Sequence, residues 1–173
     1  ATLVLVLDAA AAASSGEAEA QALEMEAAEL VRAKLGDAAG ALARVQRAAT
    51  RKHGDRRARL AVFRRLVALL EEAGDSDGQL LALVEVVGLE DDPAERRMVS
   101  GNAARLAERI GAAERALEIW DARIAADPKD SEALDARIDL LARMGKADEL
   151  ARALTERATA LGSSSRARTD WVR

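Results

Sequence analysis

The sequence contains no cysteine, no tyrosine, one histidine, two prolines and only three aromatic residues, one phenylalanine and two tryptophans. Without cysteine the chain has no disulfide, no thiolate nucleophile and no cysteine-based zinc or iron–sulfur site. Scarce aromatic and β-branched residues argue against a sheet protein. The single histidine, His53, leaves little material for a nucleophile paired with a base, so the sequence does not predict an enzyme.

The chain also lacks the glycine-rich loops that bind phosphates or dinucleotides. His53 lies in a polar turn and is interpreted as a solvent-exposed turn residue. The cluster Asp75-Ser76-Asp77-Gly78 resembles part of a calcium loop, but the other ligands are missing at the required spacing and a helix-capping turn explains it better. We therefore predict no catalytic residue, no cofactor and no metal, and we expect folding without a metal.

Half of the 173 residues are hydrophobic, with alanine the most frequent, which is enough for a core and typical of closely packed helices. The net charge of −4 does not suit a chain built as a whole to neutralise phosphates. The excess of arginine over lysine indicates a GC-rich bacterial source. No signal peptide or transmembrane segment is visible, which favours the cytoplasm and no membrane insertion. The absence of an initiating methionine suggests a fragment of a longer chain.

Four glycines, Gly36, Gly74, Gly111 and Gly145, each follow one apolar helical run and precede another. A glycine at such a place ends a helix in the left-handed conformation and lets the chain turn back. Gly111 and Gly145 are 34 positions apart, which is a period of helical-hairpin repeats. The sequence therefore predicts a stack of helix pairs joined at glycine turns.

Helical periodicity predicts nine helices and a short final piece. Their expected ranges are 2–13, 17–35, 38–51, 56–73, 77–88, 94–110, 113–126, 131–144, 147–161 and a piece after Ser165. The stretch from Leu80 to Leu89 is apolar on nearly every side, and is interpreted as a helix because the second helix of a pair is due there.

Helix starts are marked by aspartates. Asp37 and Asp75 are expected to cap the helices that follow them. Asp92-Pro93-Ala94-Glu95 has a capping residue, a proline suited to the first helical position and a glutamate placed to close a capping box. Asp130 is expected to open the helix after Asp127-Pro128.

One segment carries a family pattern: its turn glycine, small residue, bulky residue and closing dipeptide are Gly111, Ala116, Trp120 and Asp127-Pro128. With it, the chain resembles tetratricopeptide repeat (TPR) proteins over about residues 22 to 164. Arg123 and Arg157 depart from the pattern, because a small residue is usual there. Trp120 is expected to be buried between the helices of its own unit and the next.

The resemblance implies an all-α protein, a right-handed α-solenoid of antiparallel helix-turn-helix units forming one domain over residues 1–173. About four units are expected, with partial units at both ends that could associate end to end. Their ranges are 22–54, 56–92, 94–129 and 131–164.

The resemblance also implies a non-enzymatic scaffold that binds a protein or peptide partner on its concave face. The candidate partner-binding residues are those expected to line that face: Arg64, Glu71, Glu72, Met98, Arg105, Arg109, Glu132, Asp135, Asp139 and Arg143. In two pairs, Arg105 with Arg109 and Asp135 with Asp139, like charges lie four residues apart on one helix face. Such pairs cost a little stability, which makes these positions the most interesting ones on the predicted surface.

Two alternatives stay open. The chain could be a structural spacer or assembly segment of a larger protein. It could also bind nucleic acid through the basic region 44–65, but we favour neutralisation by the acidic residues 71–95 because no aromatic residue is available to stack on bases. At the other end, Trp171 is expected to dock on the stripe of Leu150, Leu154 and Leu161, or on a neighbouring molecule.

Overall fold

The computed structural model describes residues 2–162, which form helices and turns and contain no strand. All nine predicted helices are confirmed, with boundaries that differ by no more than one residue at most ends. The expected piece after Ser165 and the expected docking of Trp171 lie outside the described residues. The helices are α1 Thr2–Ala13, α2 Glu17–Leu30, α3 Ala38–Thr50, α4 Arg56–Ala73, α5 Ser76–Leu89, α6 Pro93–Arg109, α7 Ala113–Ala126, α8 Ser131–Arg143 and α9 Ala147–Leu161.

The four turn glycines end their helices as predicted. Gly36, Gly74, Gly111 and Gly145 have φ values of 66°, 73°, 81° and 69°, in the left-handed region that favours glycine. After the last three, the next N–H donates to the carbonyl five residues back, which is the Schellman arrangement. The same glycine-centred turn between two helices therefore occurs three times, and each of these glycines is exposed with no atom close to the position of a Cβ.

The first joint differs because the last turn of its helix is wider. Residues Val31–Leu35 continue α2 as a π-helix, and the N–H of Asp37 reaches back six residues to the carbonyl of Val31 at 3.4 Å. A π-helical turn inserts one extra residue into the ladder. The predicted helix 17–35 is thus continuous, but its last turn has a geometry that periodicity does not reveal.

Aspartates cap the following helices. The side chains of Asp37, Asp75 and Asp130 accept from the backbone N–H three residues on, at 2.7, 2.9 and 3.2 Å. Pro93 is the first residue of α6, as predicted, and half of the predicted capping box forms, because Asp92 Oδ1 accepts from the N–H of Glu95 at 3.1 Å. The return bond from the Glu95 side chain is wrong. The N–H of Asp92, which Glu95 was expected to bind, donates instead to Glu90 Oε1 at 3.0 Å.

The described residues divide into two compact units, and the division falls between Arg96 and Arg97, inside α6. In the first unit consecutive helices from α1 to α5 pack on one another. Its core consists of valine, leucine and alanine side chains, with Val31, Val45 and Val62 almost fully buried. The ambiguous stretch is helix α5, which buries Leu80, Leu83 and Val86.

In the second unit α7 packs on α8 and α8 packs on α9. Trp120 of α7 is its largest buried side chain, with 1% of its surface exposed, so the predicted burial is confirmed. The indole Nε1 donates to Glu108 Oε1 of α6 at 3.0 Å. Ala103, Ala104 and Ala107 of α6 are also fully buried. Small side chains such as alanine suit helices that pack closely.

Candidate functional site

The ten predicted surface residues lie on three helices. Arg64, Glu71 and Glu72 belong to α4 of the first unit, and the other seven lie on α6 and α8 of the second unit. Met98 is an exposed side chain of α6, with 52% of its surface accessible. The two groups therefore belong to different compact units.

On α4, two of the three predicted residues form ion pairs within the first unit. Glu72 accepts two hydrogen bonds from the Arg32 guanidinium, both at 2.6 Å, and these bonds lower the pKa of the Glu72 carboxyl. Arg64 donates to Glu90 Oε2 at 2.5 Å. Glu71 is exposed and forms no ion pair with any described residue. Only Glu71 of this group keeps its charge available to a partner.

The second unit brings three predicted arginines together in one groove. Arg105, Arg109 and Arg143 line it, at the carboxyl-terminal ends of α6 and α8. Its volume is about 490 Å³, and the remaining lining residues are Glu108, Ala113, Leu140 and Met144. This is the candidate functional site, and we call it the arginine groove.

Cross-helix ion pairs explain the two like-charge stacks. Arg105 Nη1 donates to Glu132 Oε1 of α8 at 2.6 Å, so its repulsion with Arg109 is offset. In the same way Asp135 accepts from Arg157 Nε of α9 at 2.5 Å, which offsets its repulsion with Asp139. An acid or base on another helix compensates each stack, and Arg109 and Asp139 form no ion pair among residues 2–162.

A buried ion-pair network lies beside the groove. Arg123 of α7 donates twice to Asp130 Oδ2, at 3.0 and 2.6 Å, and once to Glu132 Oε2 at 2.9 Å. Arg123 and Asp130 are only 6% and 2% exposed. The guanidinium carbon of Arg123 also lies 5.0 Å from the centre of the Trp120 ring, a cation–π distance. The arginine that departs from the family pattern thus holds α7 against the start of α8.

This network depends on close approach to α6. Gly101 of α6 is buried, and a Cβ atom there would lie 2.8 Å from Arg123 Nη1. From α6, Arg97 also donates to Asp130 Oδ1 at 2.8 Å. The hydrogen bond from Arg123, together with that from Arg105, lowers the pKa of Glu132. Asp130 was predicted only as a helix start, and its role as the centre of this network required the fold.

The basic region 44–65 is largely neutralised within the first unit. The acids come from both sides in sequence, so the predicted compensation by residues 71–95 is only part of it. This pairing reduces the positive charge that a nucleic acid could use. The pairs are Arg44 and Arg47 with Asp8, Arg51 with Glu24, Arg65 with Glu29, Arg56 with Asp91 and Arg64 with Glu90.

His53 is not simply exposed, as predicted, but half-buried and hydrogen-bonded. Its Nδ1 accepts from the N–H of Asp55 at 3.2 Å, so its Nε2 carries the proton and donates to Gln21 Oε1 at 2.8 Å. Gln21, which is buried, donates in turn to the carbonyl of Ala48 at 3.0 Å. These contacts secure the turn between α3 and α4.

Among the described residues, no group of three or more histidine, aspartate or glutamate side chains is placed to hold a metal ion. The cluster at Asp75 forms the capping turn of α5. None of the helices within residues 2–162 combines the length and the apolar character needed to cross a membrane.

The lowered pKa of Glu90 predicts how the stability of the chain depends on pH. Glu90 is 6% exposed, and the N–H of Asp92 together with the Arg64 guanidinium keeps the pKa of its carboxyl below the ordinary value despite burial. A lowered folded-state pKa contributes stability above the unfolded value of about 4.3, and this stability is lost as pH falls through the folded value. We expect Glu90→Gln to lower stability at pH 7 and to lose less stability between pH 5 and pH 3 than the unchanged chain.

Urea unfolding at pH 7, 5, 4 and 3 measures this effect. Glu95→Gln is the control, because Glu95 is an exposed residue of the same region with no ion pair among the described residues. Parallel pH profiles for Glu90→Gln and the unchanged chain would contradict the assignment.

The sequence matches no model of a known protein family, and no curated protein matches it at a significant level. The assignment of function therefore depends on the residues of the chain itself.

Proposed function

We propose that this chain is a non-enzymatic protein-interaction scaffold, a right-handed TPR-like α-solenoid of about four helix-pair units that holds a protein or peptide partner. The observation that carries the proposal is the repeated joint of helix, left-handed glycine and helix at Gly36, Gly74, Gly111 and Gly145. Repeated helix pairs bury their apolar faces against their neighbours and present one face of each pair as a continuous surface. Such a surface serves recognition without any catalytic group.

The arginine groove is the part of this surface best suited to a partner. Its floor includes the apolar side chains of Leu140 and Met144, and its rim includes Arg109, whose charge is not used in an ion pair among residues 2–162. Interfaces combine an apolar centre with a polar rim, and arginine is enriched in them. The groove offers both features in one place.

A structural spacer is the second candidate, and one observation favours it. Six of the ten predicted surface residues hold ion pairs between helices or to a helix connection, and so stabilise the array itself. They are Arg64, Glu72, Arg105, Glu132, Asp135 and Arg143. A spacer needs those pairs but no open groove.

Site-specific photocrosslinking distinguishes the two candidates. A benzophenone amino acid at Met144, which is half-buried in the groove, is introduced into the protein in its own cells, and a matched variant carries it at exposed Lys52. We expect ultraviolet light to join a second protein to the Met144 variant and not to the Lys52 variant. Cross-links only within the chain itself, or the same products from both positions, would support the spacer instead.

A further inference from the structure

The arginine groove has the size of a ligand site and is open at the surface. Its volume of about 490 Å³ falls in the usual range of binding pockets, which is roughly 300 to 1,000 Å³. Arg109 is the last residue of α6 and Arg143 is the last residue of α8, so both guanidinium groups extend from helix ends. Three of its seven lining residues carry positive charge and one carries negative charge.

Glu108, the single acidic residue that lines the groove, already accepts hydrogen bonds on both of its carboxylate oxygens. Glu108 Oε1 accepts from the buried Trp120 Nε1 at 3.0 Å, and Glu108 Oε2 accepts from Arg143. The Glu108 side chain is only 22% exposed, whereas that of Arg143 is 59% exposed. An incoming carboxylate therefore meets exposed guanidinium groups before it meets Glu108.

Two of the three arginines are held in position without any ligand. Arg105, whose side chain is 52% exposed, is fixed by Glu132 and also donates to Asn102 Oδ1 at 3.1 Å. Arg143 is fixed by Glu108. Side chains that are ordered before binding lose less conformational entropy when a ligand arrives. Arg109 has no such tether among the described residues and is free to close on a bound carboxylate.

The floor of the groove favours a peptide over a nucleic acid. The half-buried side chains of Ala113 and Met144 supply apolar surface above the buried Leu140, and no aromatic side chain is among the residues that line the groove. Single-stranded nucleic acids gain much of their affinity from bases stacked on aromatic rings, which this floor cannot provide. A peptide can place an aliphatic side chain on the floor and carboxylates on the rim.

We infer that the arginine groove binds an acidic peptide segment of the partner protein, and this inference depends on the proposed scaffold function. Arg109 pairs with one carboxylate of the peptide, and the exposed edges of Arg105 and Arg143 bind a second one. A leucine-like side chain of the peptide rests on Ala113 and Met144. Charge-assisted hydrogen bonds to guanidinium groups supply the specificity for acidic over basic segments.

Fluorescence anisotropy with the full 173-residue chain tests this inference. The probe is a labelled ten-residue peptide of glutamate, aspartate and leucine, compared with the same peptide carrying lysine at every acidic position. We expect only the acidic peptide to bind, with an affinity that falls as salt rises. Arg109→Glu should weaken binding by about tenfold or more, since a charge-assisted contact is lost and a repulsive one is added.

The control is Arg57→Glu, which changes the net charge equally at an exposed arginine of α4 that has no ion pair among the described residues. It should alter affinity by less than about twofold, and thermal unfolding should show both variants folded. Equal weakening by the two variants would reduce the effect to net charge and overturn the inference. So would equal binding of both peptides, no binding of either, or tighter binding of a single-stranded oligothymidine.

The peptide test and the crosslinking test can fail separately. A partner joined at Met144 together with an acidic peptide that does not bind would leave the scaffold function standing and reject the acidic class of ligand. No partner at Met144 would reject the scaffold function itself.

Discussion

Asp130→Asn should lower the free energy of unfolding by about 3 to 5 kcal/mol, the range found when one partner of a buried ion pair is removed. Asp130 is 2% exposed and accepts from both Arg123 and Arg97. Asparagine still caps α8, since it is as good a capping residue as aspartate, so the change isolates the lost charge. The Arg123 guanidinium would then be left buried, with Glu132 as its only acidic partner among the described residues.

Urea unfolding followed by circular dichroism measures this loss. Asp121→Asn is the matched control, because Asp121 pairs with Arg137 at 2.9 Å but is 53% exposed. An exposed pair contributes about 0 to 1 kcal/mol, so the control should change little. The double variant Arg123→Met with Asp130→Asn should recover part of the loss, since no unpaired charge remains buried. Equal costs for Asp130→Asn and Asp121→Asn would show that the buried network contributes no more than a surface pair.

Trp120→Ala should cost about 3 to 5 kcal/mol, the range for emptying a large core site. Trp120 is 1% exposed, and its ring also faces the Arg123 guanidinium at 5.0 Å. The variant therefore leaves a cavity and removes a cation–π contact from an arginine that cannot reach solvent.

Trp120→Phe is the control for this site. It keeps most of the ring volume but loses the hydrogen bond to Glu108, which is worth about 0.5 to 1.5 kcal/mol. Circular dichroism is the appropriate probe, because the emission of Trp171 would complicate a fluorescence measurement. A melting temperature of Trp120→Ala equal to that of the unchanged chain would contradict the burial of this side chain.

Helix positions were predictable because the signals that set them act over a few residues. At the end of α4 the N–H of Gly74 donates to the carbonyl of Glu71, and the N–H of Asp75 donates to the carbonyl of Leu70. The Asp75 side chain then starts α5 by accepting from the N–H of Gly78. Asp130 likewise starts α8 by accepting from the N–H of Ala133. Even the apolar stretch Leu80 to Leu89, in which periodicity is weak, was correctly assigned from its place in the order of helix pairs.

The site was predictable only in part. Arg105, Arg109 and Arg143 were expected on one surface, and the structure brings them to one groove. The hydrogen bonds that Glu108 accepts from Trp120 and Arg143 were not predicted, because these residues lie on other helices. His53 was assigned to solvent for the same reason, since its partner Gln21 is 32 residues away.

The sequence by itself determined the helices, their glycine joints and their aspartate caps, because propensity and capping depend on neighbours along the chain. Only the tertiary structure decided which charges hold the fold and which stay available to a partner. Arg143 reaches Glu108 and Arg32 reaches Glu72 across 35 and 40 residues. Such pairs form only when packing of the apolar faces brings two helices side by side, so a charge pattern on one helix cannot show whether its arginines are paired.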